Sequence, residues 1–334
     1  MKLKTKIRNL YYNPKERRMR FLLRVFVQLI IMFLIILFLT LILQLLHILK
    51  IIPSITTDTM LGRFMISLFI FAGVLSSMWL GGRWLDRRRL SNFGLHLSEN
   101  WWSDLIFGLV LGLGLITLVF IFEWVTGLIT ISGTFQSPQG MPFVVGIILA
   151  TGIYLCVGIY EELFFRGYYL TNIAEWLGHF KFIQSRWAVI TALVITSLVF
   201  GVAHAMNPNA SVISTINITL VALLLLGLGY ILTGQLAISI GIHITWNFFQ
   251  GSVYGFPVSG MDSGQTSFIA IIQNGPDWLT GGSFGPEAGL LGVLATLLGC
   301  AITVWWVKYK TGKAEICETI AEAPRDFYRE QILS

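Results

Sequence analysis

The chain alternates between long apolar runs and short polar connections. The first run extends from Phe21 to about Ile48. Others lie near 60–80, 105–131, 142–170, 187–206, 212–232, 235–254 and 289–307, each near the ~20 residues a helix needs to cross a bilayer core. Strands of a membrane barrel would alternate over roughly ten residues, and these runs do not. The pattern predicts an all-α polytopic membrane protein with about eight transmembrane helices, no internal repeat and no soluble domain. The first run is too long for a signal-peptide core and lacks a small-residue cleavage site, so it is expected to stay as a helix.

Composition agrees. Of the 334 residues, 55% are hydrophobic and 12% charged, against about 25% charged in ordinary soluble domains. Mean hydropathy is +0.75. The net charge of +6 does not point to nucleic acid, because the basic residues sit at the ends of apolar segments rather than on a soluble face. Cys156, Cys300 and Cys317 are scattered, form no C-x-x-C pair and read as small apolar fillers.

The charges orient the helices. With a cytoplasmic N-terminus, eight Lys or Arg among residues 1–20 lie inside, as do Arg83, Arg87, Arg88, Arg89, Lys181, Arg186, Lys308, Lys310 and Lys313. The opposite loops, 132–141, 207–211 and 255–288, contain no Lys or Arg. Both termini of a multi-pass cell-membrane protein are therefore expected in the cytoplasm. Residues 83–105 mix Arg with Trp84, Trp101 and Trp102 and read as an interfacial segment. This divides the chain into an N-terminal membrane region (1–140, about three spans plus segment 83–105), a helical core (141–254), and a final part (255–334) with an external loop, the last span and a cytoplasmic tail.

One stretch breaks the apolar pattern. In "YEELFFRGYY" (160–169), Glu161, Glu162 and Arg166 stand within a span. A charge at a helix centre costs roughly 2.5–3.5 kcal/mol on insertion scales. Glu162 and Arg166 are four apart, share a face and can pair. Glu161 points about 100° away and needs another environment. Its candidate companions are His204 in "FGVAHAMNPN", and His243 with Asn247 in "GIHITWNFF", where four-residue spacing puts both on one face. Glu161 and His204 are each about 21 residues from the turn at 182–183, so an antiparallel pair joined there places them level. His243 is only about eight residues from its own turn, and counting does not bring it to that level. Each residue alone has an ordinary structural reading, as a buried ion pair, a packing histidine or an interhelical amide. Together, from three helices, they make a site.

The motifs E-E-x-x-x-R, F-x-x-x-H and H-x-x-x-N, in this order on successive segments, resemble those of the CPBP intramembrane proteases (CAAX proteases and bacteriocin-processing proteins of the Abi family) over about residues 145–250. The resemblance implies that Glu161 activates a water, helped by His204, and that His243 and Asn247 stabilise an oxyanion. Glu162 and Arg166 would then support the site, with Phe200 as a packing residue. It also implies a membrane-associated or lipid-modified protein or peptide substrate, with the site opening toward the cytoplasm or laterally into lipid. Peptide hydrolysis needs those parts: a base, a positioned water and donors for the developing negative charge. No H-E-x-x-H is present, against a zincin-type site. No cofactor is expected, although Glu161, His204 and His243 form a recognised catalytic zinc ligand set and would be the ligands if zinc were used. Two other classes stay open: a non-catalytic immunity or scaffold protein, and a transporter with an intramembrane polar site.

Overall fold

A backbone N–H or C=O without a partner costs several kcal/mol in lipid, so each apolar run closes its hydrogen bonds internally as a helix. The computed structural model of the chain describes residues 11–14, 16, 18–52, 56, 59–261 and 266–324. The basic stretch 1–10, part of the external loop (262–265) and the end of the tail (325–334) lie outside the described residues. Among the described residues, seven helices are long and apolar enough to cross a membrane. The first six are α1 (Phe21–Ile48), α2 (Met60–Asp86), α3 (Glu99–Val125), α4 (Phe143–Gly178), α5 (Ser185–His204) and α6 (Val212–Thr233). The expected span at 235–254 is α7, a shorter helix of Ala237–Phe248 continued by a wide π-type turn, Phe249–Val253. The seventh long helix, Leu290–Thr311, follows as α8. Every side chain from Ala237 to His243 is buried, so α7 is a central helix rather than a lipid-facing one. The protein is a multi-pass, mainly helical membrane protein.

Three local features differ from the sequence reading. Residues 83–105 are not one interfacial segment: α2 runs on to Asp86, and α3 already starts at Glu99. The Ser98 side chain caps α3 by accepting the Trp101 N–H. Trp84 and Trp102 do face outward, whereas Trp101 turns in and donates its indole N–H to the Gly94 carbonyl at 2.9 Å. Next, residues 129–131 leave the helical pattern. Strand β1 (Ile129–Gln136) pairs antiparallel with β2 (Ser267–Gln273), with a bulge between Ile131 and Gly133. This small sheet ties together two loops expected on the same face. Last, α4 is 36 residues long and passes through a π-type stretch, Leu163–Leu170, before Gly178.

Small residues set how closely the central helices approach. A Cβ at Gly241 would lie 2.6 Å from the Leu105 carbonyl oxygen, and one at Gly108 would lie 2.4 Å from that of Ile238. The backbones of α3 and α7 therefore touch, as small residues allow between membrane helices. A Cβ at Gly158 would lie 2.6 Å from Ile244 Cγ1. That approach of α4 to α7 brings the Glu161–Glu162 turn against His243.

The two ends of the bundle are built differently. At the Arg-rich end, Glu175 accepts a bidentate pair from Arg18, with further contacts from Arg24 at 3.3 Å and Arg88 at 2.8 Å. Arg24 also meets Asp86 at 3.2 Å. Five charged side chains from the N-terminal segment, α1, α2, the following loop and α4 are thus locked together, all buried. At the opposite end, Glu287 anchors the loop after α7. Its buried carboxylate accepts the Ser259 N–H at 2.6 Å and the Gln250 amide, while Gln250 accepts the Trp246 indole N–H at 2.7 Å.

Burial outweighs these hydrogen bonds and pushes the Glu287 carboxyl up to about 7. Its proton is then released more readily in the unfolded chain than in the folded one. Its effect on stability is therefore most favourable below the ordinary carboxyl range, falls as pH rises, and levels off above about 7. The thermal midpoint in detergent should drop between about pH 5 and about pH 8, and Glu287→Gln should flatten that drop. An equal slope in the two proteins would assign it to other groups.

Candidate active site

The α4–α7 contact places a carboxylate pair beside an imidazole. Glu162 is fully buried, and its Oε1 accepts two charge-assisted bonds: from Arg166 Nη1 at 3.0 Å and from His243 Nδ1 at 2.8 Å. Arg166 donates a further bond to the Ala222 carbonyl at 3.1 Å, which ties α4 to α6. Its guanidinium lies 4.8 Å from the centre of the Phe200 ring, a cation–π contact. Phe200 in turn stacks on His204, with ring centres 4.3 Å apart. All three motifs are thus one continuous set of contacts: His243 to Glu162 to Arg166 to Phe200 to His204.

Glu161 stands apart from that chain, as its helical angle requires. Its Oε2 lies 3.7 Å from His243 Nε2 and, among the described residues, has no hydrogen-bond partner. A carboxyl oxygen to which nothing donates has acceptor capacity to spare. His204 uses Nδ1 to donate to the Phe200 carbonyl at 2.8 Å, so its Nε2 is the free edge of the ring. His243 uses Nδ1 on Glu162, so its Nε2 also faces away from the support. With Nδ1–H donated to Glu162, the ring presents an Nε2–H only when it carries both protons.

Glu161, His204, His243 and Asn247 all line one cavity of about 660 Å³, which the Phe200 ring also lines. The volume falls within the ~300–1,000 Å³ usual for ligand pockets. The level of His243, which counting left open, is decided by its direct bond to Glu162. The cavity walls are mainly aliphatic and aromatic, with Arg63 and Glu287 added near the loops. Sequence reasoning missed both of these. Arg63 stands in the first turn of α2, at the edge of an apolar run, and Glu287 in a loop rich in Gly and Pro with no helical register to place it.

The loop residues of the cavity wall share one end of the bundle. They are Asn207, Pro208, Val258 to Met261 and Glu287. All belong to the connections at the end opposite the Arg cluster. Among the described residues, none of the Arg-rich connections contributes to its wall.

A different cluster has the tighter spacing for a cation. Among the described residues, ligand atoms of Glu16, Glu175 and His179 lie within 4.8 Å of one another. However, Glu175 is already occupied by three arginines and His179 bonds Glu16 at 2.6 Å. Glu161, His204 and His243 do not converge to that spacing.

No curated protein and no solved structure matches the chain. Residues 142–249 match the family model described as type II CAAX prenyl endopeptidase Rce1-like, a match over about a third of the chain that contains every motif residue and supports its place in the CPBP/CAAX protease family.

Proposed function

We propose that the protein is an intramembrane endopeptidase of glutamic type, acting on membrane-associated or lipid-modified proteins or peptides in the cell membrane. The observation that carries this reading is the free Glu161 oxygen, beside His243 and inside a cavity shared with His204 and Asn247. Glu161 accepts a proton from a water as that water attacks the scissile carbonyl. The oxygen of the tetrahedral intermediate takes hydrogen bonds from Asn247 and from doubly protonated His243. His204, its Nδ1 fixed on the Phe200 carbonyl, keeps Nε2 available to the water. The proton then passes from Glu161 to the leaving amine as the C–N bond breaks, which restores the carboxylate. No cofactor is part of this scheme.

Glu161 and Glu162 are adjacent but have different tasks, and substitution should separate them. Glu161→Gln should abolish turnover of a peptide substrate while the purified protein stays folded and monodisperse. Glu162→Gln should lower both thermal stability and turnover, because it weakens the support of Arg166 and of His243. Full activity in Glu161→Gln would remove Glu161 from the chemistry.

Asn247→Ala should lose about 10²–10³-fold in turnover, the usual effect of deleting one oxyanion donor. Metal analysis of active protein should find less than stoichiometric zinc, and chelation should leave activity intact. About one zinc per chain, lost together with activity in His204→Ala, would instead make the enzyme a metallopeptidase.

The Lys and Arg at the end that carries Arg18, Arg88 and Lys181 support a reading in which that end, and with it both termini, faces the cytoplasm. In intact cells, a membrane-impermeant maleimide should label Thr134→Cys on β1. It should reach native Cys317 only after permeabilisation. The reverse pattern would invert the topology.

A further inference from the structure

We propose that the cavity is entered from the extracytoplasmic side, so that the polypeptide cleaved is an exported or membrane-inserted chain whose scissile segment reaches Glu161 through the outer half of the bilayer. This rests on the endopeptidase reading above and adds the side and class of its substrate. A cytoplasmic tail, prenylated or not, would approach from the wrong face.

Three observations point this way. The first is the cavity wall. Its loop residues come from the 204–212 and 254–289 connections, and its α2 residues, such as Met60, Arg63 and Ile66, come from the start of that helix. All lie at the end opposite the Arg cluster. The second is the floor. On the Arg-rich side of the catalytic residues stand Glu162, Arg166, Leu163, Tyr168 and Leu170, each at most 1% exposed. Below them lies the Glu175 cluster. A peptide would have to displace a buried ion network to enter from there, leaving buried charges without partners. The third is the rim. Asn207 donates to the Ser259 carbonyl at 3.0 Å, and Asn209 donates to that of Gly260 at 3.1 Å. With Glu287 holding the Ser259 N–H, the mouth is a built edge that joins the end of α5 to the loop after α7.

Charge then supplies the side. Lys and Arg cluster at the floor end, which by the positive-inside rule faces the cytoplasm. The mouth therefore faces outward. The aliphatic and aromatic walls suit apolar side chains of an extended segment, and a cavity of about 660 Å³ admits a few residues rather than a folded domain.

The test uses full-length protein in cells, with Cys156, Cys300 and Cys317 replaced by Ala. Ile153 lines the cavity eight residues before Glu161, about 12 Å along the helix. Met261 lies at the rim and is half-exposed. A sulfonate-bearing methanethiosulfonate, small and membrane-impermeant, is added to intact cells or to inside-out vesicles. Ile153→Cys and Met261→Cys should react in cells and be protected in sealed inside-out vesicles, whereas Lys181→Cys should do the opposite. Reaction of Ile153→Cys only in inside-out vesicles, or in neither preparation, overturns the proposal. The catalytic reading is judged separately by Glu161→Gln in detergent, where no sides exist, so either idea can fail alone.

Discussion

The structure depends on one buried oxygen. Glu162 Oε1 receives both Arg166 and His243 within a membrane-spanning helix, where an unpaired charge costs kilocalories. Through these contacts it fixes three helices at once: α4 through its own backbone, α6 through the Arg166 bond to Ala222, and α7 through His243. Arg166 also lies over Phe200 and so reaches α5. The support is electrostatic, and lipid surrounding the bundle strengthens rather than screens it.

This arrangement divides labour between neighbours in sequence. Glu162 is consumed by structure. Glu161, one residue earlier and about 100° around the helix, makes no bond to Arg166, approaches only the far edge of His243 at 3.7 Å, and lines the cavity with an oxygen that no hydrogen bond uses. The free imidazole edges follow from the same logic: each Nδ1 is used for position, His204 on a backbone carbonyl and His243 on Glu162, which leaves each Nε2 outside that support. Rigid support of groups whose working atoms stay free is the preorganisation that catalysis requires.

The ends of the bundle have matching roles. The Glu175 cluster closes one end by neutralising three arginines with two buried acids. The opposite end is held by amide and carboxylate contacts to backbone, from Asn207, Asn209, Gln250 and Glu287, and by the β1–β2 pairing. The cavity opens among the latter. Side-chain bonds to loop backbone can be exchanged for bonds to a substrate backbone, whereas a buried ion cluster offers no such exchange.

Much of this was legible in the sequence because lipid is a strict solvent. Long apolar runs have to be helices, basic residues mark one set of ends, and any charge left within a run has to find a partner. Those constraints are local, so they identified the helical bundle and singled out Glu161, Glu162, Arg166, His204, His243 and Asn247. What the sequence did not determine is non-local. The pairing of β1 with β2 joins residues more than a hundred positions apart, between runs too short to signal a strand against their Gly- and Pro-rich surroundings. The level of His243 against Glu162 depends on the close approach at Gly158 and on the length of α4, which counting from turns does not capture. The bond from His243 to Glu162, the stacking that links Arg166 to His204, and the placement of Glu287 at the cavity wall are all decided by packing between helices and loops. The direction of the cavity belongs with them: periodicity shows which residues share a face, but only the assembled bundle decides which end of that face is closed.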